Sequence, residues 1–533
     1  MEQLRASFLM LRACGERLGW MLVLLAVARN PALGVELAGD KLAAAREELY
    51  AAYTTQLGQL AAACEAQGFS KQAAFTRAWL PQRDPAMIYV FMLPTSSAAP
   101  ESLVKTAAEQ EWWRQFMALR TAEAEKLFAL AQGALAAKQD TLAFELARET
   151  VRENPDDEAG RHVLGDRKVG DQWVSPEAAR RLEAGQAWSE QFGWLPADQL
   201  KRYESGERFY RGEWISAAED ARLHSNIRNG WNVESDHYVV VTNNSLESGA
   251  QLAAHLEMLY QAWRQAFVGY YATPAQVQQW FAVAPKTISP ETGLPTGGSS
   301  GAGEYSVAPS AAAASAATFG SHKPHQVVYF HDRQQYIDAL KPAQPQIEMS
   351  IGFYSDAARS AYFFASGNPY AGTLYHEATH QLFRETPPAA VDPGRKNNFW
   401  VVEAIAVYME SFAEHRLLDG EPYGAYVTLG GENAGRVPAA RKRLQDDNFY
   451  VPLRELASLG MTELQHDTRL PAIYSQIAGQ SLFFMHADAG RYRPGLMSYL
   501  IAVYTGRATA DTLEKLTGQK FEQLDEQYRE FMK

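Results

Sequence analysis

The sequence predicts an α+β fold that is mostly helical, and three features point there. Apolar residues recur at three- and four-residue spacing from residue 40 to about 165, and again beyond residue 370, the period of helices with one buried face. Between these stretches lie short β-branched runs, "HYVVVT" at 237–242 and "QVVYFH" at 326–331, with the composition of strands. In the C-terminal part strands come first and helices after, the order of an α+β domain. With 533 residues, 47% of them hydrophobic, the chain has the length for roughly two to four domains and the apolar content for a sizeable core. Its formal charge of −12 argues against nucleic acid or an anionic membrane as the main partner, since both reward a basic surface.

Taken in order, Arg5, Arg12 and Arg17 flank the start of an apolar run, "LGWMLVLLAVA" at 18–28, and "ALG" at 32–34 offers small residues for cleavage. This predicts an export signal over residues 1–34 and a periplasmic or extracellular protein with no membrane span after cleavage. An uncleaved anchor is the alternative, although the run is short for a span. Removal of the signal would leave Cys64 as the one cysteine, excluding an internal disulfide and a cysteine metal site.

Residues 35–187 read as a helical module. Its stretch "TLAFELARETVRENPDDEAGRHVLG" resembles a tetratricopeptide-type helical hairpin, with a plain bundle as the other reading. Either would pack or dock a protein partner and carry no chemistry. Trp173 lies in a short strand or turn, and Ser175 caps the helix after it. Residues 188–232, amphipathic and rich in aromatics, predict connecting helices. The last domain, 233–533, opens with the 237–242 strand. Asn244 with Glu247 reads as a capping box for the helix that follows. Residues 284–324, rich in Gly, Ser, Ala and Pro, predict a flexible surface insertion. Asp332 caps a helix after the 326–331 strand, and "IGFYS" (351–355) with "AYFFA" (361–365) predicts a hairpin. Everything beyond 370 reads as helix.

The chemistry concentrates in "LYHEATHQLF", residues 374–383. Residues four apart on a helix share a face, so His376 and His380 can turn imidazole nitrogens toward one ion. Glu377 lies beside that ion without being needed as its ligand, where a carboxylate can accept a proton from an attacking water. This is the arrangement of a zinc hydrolase, which needs a third protein ligand and one open position. A third histidine six residues after the second is absent, since that position is Thr386. A glutamate from a following helix is the other option. "FWVVEAIAVYMESFAEHRLL", 399–418, supplies Glu403 among Val402, Ala404, Ile405 and Ala406. A carboxylate in so apolar a stretch needs a charged partner. Glu410, two turns further along the same face, can steady a ligating histidine or bind a substrate amine. Glu414 and His415 read as surface residues.

"HEATH" followed by "WVVEAIAVYME" resembles the gluzincin branch of metallopeptidases, in the peptidase MA-like superfamily. The second motif is similar to the W-L-x-E-G-x-A-x-Y-x-E of M1-type aminopeptidases. It looks closer to a family of exported bacterial MA-like proteins, which residues 230–533 and the joint "HVLGDRKVGDQWVSPEAA" resemble. The resemblance implies a zincin-like domain with a small mixed sheet, one zinc ion on His376, His380 and Glu403, and Glu377 as base. It also implies a tyrosine that steadies the oxyanion, and Tyr474, opening the helix "PAIYSQIAGQSLFFMH", is the candidate. His486 is a weaker rival, and His466 reads as a loop residue. Val402 and Ala404 depart from the family's Asn and Gly, and no G-x-M-E-N motif is present, so aminopeptidase specificity does not carry over. In this fold an edge strand beside the metal can pair with an extended peptide, and "IGFYS" or "AYFFA" is the candidate strand. The expected function is hydrolysis of peptide bonds in a peptide or protein substrate. The alternative is a zinc-stabilised binding protein without hydrolytic activity.

Overall fold

The computed structural model describes residues 31–282, 323–365, 371–389, 392–417 and 424–533, with side chains from residue 41 onward except that of Ala371. The apolar run of the expected export signal and residues 284–322 of the expected insertion lie outside them. No helix among the described residues is long and apolar enough to cross a membrane. The chain is α+β and mostly helical, with small sheets. It divides into two compact units: Met1–Leu80 with Ala98–Gly160, and Pro81–Ser97 with Arg161–Lys533.

The first unit is helical, with long helices at Pro31–Ala66, Ala107–Ala136 and Asp140–Glu153 and a shorter one at Ser70–Ala78. Thr106 and Glu109 close a capping box at the start of the second long helix, supplying partners for backbone N–H groups that lack one within the helix. Its core mixes aromatics with buried charge. Phe75, Trp79, Trp112 and Phe116 pack edge to face or stacked. The guanidinium groups of Arg120 and Arg152 both lie over the Trp79 ring, at 4.2 and 4.3 Å from its centre. Its indole N–H donates to Glu153 at 2.9 Å, so the buried carboxylate is hydrogen-bonded as well as paired.

This unit is smaller than the expected module of residues 35–187. "MIYVF" leaves it as strand β1 (Met87–Phe91), and everything from Arg161 belongs to the second unit. The expected connecting helices of 188–232 are also corrected. The chain there makes antiparallel hairpins, continuing one just upstream: β2 (Arg167–Val169) with β3 (Gln172–Val174), β4 (Gln186–Ser189) with β5 (Gly193–Pro196), and β6 (Glu207–Tyr210) with β7 (Glu213–Ser216). Each is followed by a short helix, at Pro176–Glu183, Leu200–Glu204 and Ala217–Leu223. Gly170 and Gly212 turn the first and third hairpins at φ of 58° and 93°, values open to glycine without steric cost. The units repeat with a period of about 20 residues, each with a tryptophan on its second strand. Trp173, Trp194 and Trp214 face Lys168, Trp188 and Phe209 across their hairpins. An arginine from each of the first two helices then reaches the next tryptophan: Arg181 over Trp194 at 5.8 Å and Arg202 over Trp214 at 3.7 Å. Cation–π stacking therefore joins successive repeats.

A five-stranded mixed sheet follows, from β8 (Trp231–Glu234), β9 (Tyr238–Thr242), β10 (His325–Phe330), β11 (Phe353–Ser355) and β12 (Ser360–Phe364). Its order is β11-β12-β10-β9-β8. The β9–β10 and β10–β12 pairs are parallel, and both edge pairs are antiparallel. On the β8 side, Gly193 of the second hairpin packs so closely that an added Cβ would sit 2.8 Å from Val233. The helix after β9, Leu246–Ala266, is capped by Ser245 with Ser248, not by Asn244 with Glu247, one register along from the expected box. Asp332 caps Arg333–Leu340 as expected.

The stretch beyond 370 is not all helix. The Glu403 helix ends at Met409, short of the expected 418, and strands β13 (Ala413–His415) and β14 (Tyr426–Gly430) follow. β14 pairs with β1 on one side and β13 on the other. The pairing with β1 is long-range, and such pairing leaves no local period to read.

Candidate metal centre

The helix Ala371–Glu385 is oriented by its own sequence. Tyr375, Ala378, Thr379, Leu382 and Phe383 are buried, at the three- and four-residue spacing of one helical face. Phe383 locks this face, with Phe267, Tyr270 and Tyr504 rings 5.0, 4.7 and 5.5 Å from its own. The neighbouring face then carries His376 and His380, whose Nε2 atoms lie 3.1 Å apart.

The helix Phe399–Met409 is buried along its whole length, and Glu403 is its one charged residue, 6% exposed. Its start is held by Asn398, buried in the left-handed region at φ 60°. The Asn398 side chain accepts from the Tyr499 hydroxyl at 2.6 Å and donates to the Thr509 carbonyl at 3.0 Å. Trp400 donates to the same hydroxyl at 3.2 Å. So fixed, Glu403 brings Oε2 to 3.4 Å from His376 Nε2 and Oε1 to 3.8 Å from His380 Nε2. The Tyr474 hydroxyl donates to Oε2 at 2.7 Å.

One ligand atom from each of His376, His380 and Glu403 lies within 4.8 Å of the others. Ligands about 2.0–2.1 Å from a tetrahedral ion are about 3.3 Å apart. The two Nε2 atoms, 3.1 Å apart, are close to that spacing, and each imidazole is approached by a different Glu403 oxygen, His376 by Oε2 at 3.4 Å and His380 by Oε1 at 3.8 Å. Two imidazoles and a carboxylate also leave a fourth position open, so the donor set fits a zinc-type ion.

Charge within the cluster supports the same reading. Burial pulls His376 down, but Glu403 on one ring nitrogen and Glu410 on the other outweigh it and lift its pKa to about 10. Burial lowers His380 to about 4 despite Glu403, with His376 adding to the fall. Burial opposes ionisation of Glu403, but His380, His376 and Tyr474 hold it down at about 2. Around pH 8 the metal-free cluster therefore keeps one excess proton, on His376, where a ligating lone pair is needed. Metal binding is expected to release about one proton per ion at pH 8 and to tighten as pH rises, because ligands must be deprotonated. Calorimetry in buffers of different ionisation enthalpy reads this number, and no release would mean His376 is already neutral.

Around the cluster, Glu410 accepts from His376 Nδ1 at 2.9 Å, as the sequence suggested for a residue steadying a ligand. Its other oxygen accepts from Arg436 Nε at 3.0 Å. Once the ring is neutral, this keeps its proton on Nδ1 and leaves Nε2 for the ion. Glu410→Gln is expected to weaken metal binding about 10- to 100-fold, measured by competition with a chromogenic chelator. Glu377 accepts the Tyr354 backbone N–H at 3.0 Å. Its pKa is raised to about 7 by burial, with His376 opposing and Glu403 reinforcing the shift, which suits a general base near neutral pH. Tyr354 belongs to β11, the edge strand next to the cluster, whereas "AYFFA" forms the interior strand β12.

The other candidates part ways. Tyr474 reaches the cluster, with its hydroxyl committed to Glu403. His486 does not contact the ligand set. It is buried, lowered to about 3 chiefly by burial, and its Nε2 shares a hydrogen bond with the Tyr408 hydroxyl at 2.9 Å. His466 is exposed at the end of a short helix, and Glu414 and His415 sit on β13. Two participants were missed, the Tyr354 N–H and Arg436. A backbone N–H has no sequence signature, and Arg436 lies 26 residues from Glu410, beyond any helical spacing. Comparison of the chain with protein-family models, curated proteins and solved structures finds no match.

Proposed function

We propose that this chain is a zinc-dependent hydrolase of peptide bonds, of the gluzincin type, acting outside the cytoplasm. The observation that carries the reading is a half-buried base, Glu377, beside three converging ligand atoms from His376, His380 and Glu403. A purely structural site has no use for that base. Zinc, when bound, supplies Lewis acidity that polarises a carbonyl and lowers the pKa of water.

The chain's residues do the rest. Hydrolysis adds a hydroxyl to the carbonyl carbon and a proton to the nitrogen as the C–N bond breaks. Glu377 accepts the proton of the attacking water and returns it to the leaving amine. The Tyr354 N–H holds the carboxylate during both transfers. Tyr474 has one hydroxyl proton. It therefore exchanges Glu403 for the developing oxyanion, an interaction worth about 3–4 kcal/mol in comparable sites. The five-stranded sheet with the two ligand helices is the zincin-like part of this reading. The first unit is its docking module, tetratricopeptide-like in its helical hairpins. The edge strand β11 is the place for an extended peptide to pair.

The test is incubation of purified protein with a diverse peptide library, with and without chelator, read by mass spectrometry. Chelator-sensitive cleavage is expected. Tight zinc with no cleavage would favour the binding-protein alternative.

A further inference from the structure

The hydrolytic steps leave Arg436 without a task. It contacts two side chains that partner the ligands. Its Nε and Nη2 donate to Glu410 at 3.0 and 3.4 Å, and its guanidinium lies 5.5 Å from the centre of the Tyr474 ring. Glu410 in turn holds His376, and Tyr474 holds Glu403. Arg436 thus touches the partners of two of the three ligands. It is nonetheless half-exposed, and its Nη1 has no hydrogen-bond partner among the described residues.

We propose that Arg436 binds a carboxylate of the substrate on the residue next to the bond being cut. Three features support this. The guanidinium fork matches a carboxylate, and a pair with charge on both sides is stronger than one with a neutral carbonyl. Glu410 and the Tyr474 ring hold the fork in place, so little freedom remains to be lost on binding. Glu377, Glu403 and Glu410 surround the cluster with negative charge, and an anionic substrate group needs a cation to approach it. Arg436 is separated from the ligands by one side chain on each route, Glu410 toward His376 and Tyr474 toward Glu403, and successive residues of a peptide are about 3.8 Å apart, which places the carboxylate close to the scissile bond. That carboxylate is either the free C-terminus, which makes the enzyme remove C-terminal residues, or an Asp or Glu side chain.

The inference rests on the hydrolase reading, and the experiment separates the two. Zinc-loaded Glu377→Gln protein, which binds without turnover, is titrated with N-acetylated peptides of one sequence ending in a free acid, an amide, or an amide with Glu as the last residue. Amidation is expected to weaken binding about 10- to 100-fold, the usual worth of a charge-assisted contact, and adding Arg436→Gln erases the difference. Recovery by the Glu-bearing amide assigns the contact to a side chain, and no recovery assigns it to the chain end. Zinc content and melting temperature distinguish a lost contact from a lost fold. Arg436→Lys, with the charge but not the fork, serves if the glutamine variant does not fold and is expected to show an intermediate preference. Equal binding of all three peptides, or undiminished preference in Arg436→Gln, overturns the inference. Wild-type turnover blind to the carboxylate sinks it and spares the hydrolase; carboxylate-selective binding with no wild-type turnover does the reverse.

Discussion

Glu377→Gln is expected to keep one zinc ion per chain and to lose about 10²- to 10⁴-fold in turnover, the usual contribution of a positioned general base. Glutamine matches the carboxylate in shape and can still accept the Tyr354 N–H, which meets Glu377 at 3.0 Å. What it cannot do is take a proton. The three ligand side chains are untouched, so metal content should not change. Desolvation raises the Glu377 pKa to about 7, so the glutamine also removes a costly, partly desolvated charge, and the variant should be at least as stable as the wild type above neutral pH. The sign follows from linkage: a carboxyl whose folded pKa lies above its unfolded value destabilises the fold progressively as pH rises through that window. Unchanged turnover in peptide-cleavage assays would refute the role of Glu377.

His380→Ala is expected to abolish stoichiometric metal and all chelator-sensitive activity. It is the cleanest ligand to remove. Its pKa near 4 leaves it neutral, and Glu403 keeps His376 and Tyr474 as partners after its loss. The fold should therefore persist without a stranded buried charge, whereas loss of Glu403 would leave the protonated His376 with one carboxylate fewer. Thermal unfolding adds a second readout. A ligand at 100 times its dissociation constant stabilises the folded state by about 2.7 kcal/mol. Chelator should lower the wild-type melting temperature and leave that of His380→Ala unmoved. A metal content equal to the wild type would show that His380 is not a ligand.

The cluster was legible because helical geometry turns a four-residue spacing into a shared face, and because a lone charge in "FWVVEAIAVYM" demands a partner. Glu410 was legible by the same helical arithmetic. The hairpin repeats were not, since strands of three or four residues are too short for a period-two pattern to stand out. Their signal sits in Trp173, Trp194 and Trp214 and in the arginines that stack on the next tryptophan. β14 escaped because its partner β1 belongs to a distant part of the chain. Tyr474 was reached by resemblance, but its bond to Glu403 depends on how two buried helices pack, which no local pattern encodes.

The central claim is that one divalent ion sits among His376, His380 and Glu403. Element-specific anomalous scattering at the zinc edge, from crystals of protein supplied with zinc, tests it most directly. The account predicts one strong peak about 2.0–2.2 Å from both Nε2 atoms and from a Glu403 oxygen. No peak there, or a peak held by other residues with these three apart, would contradict it.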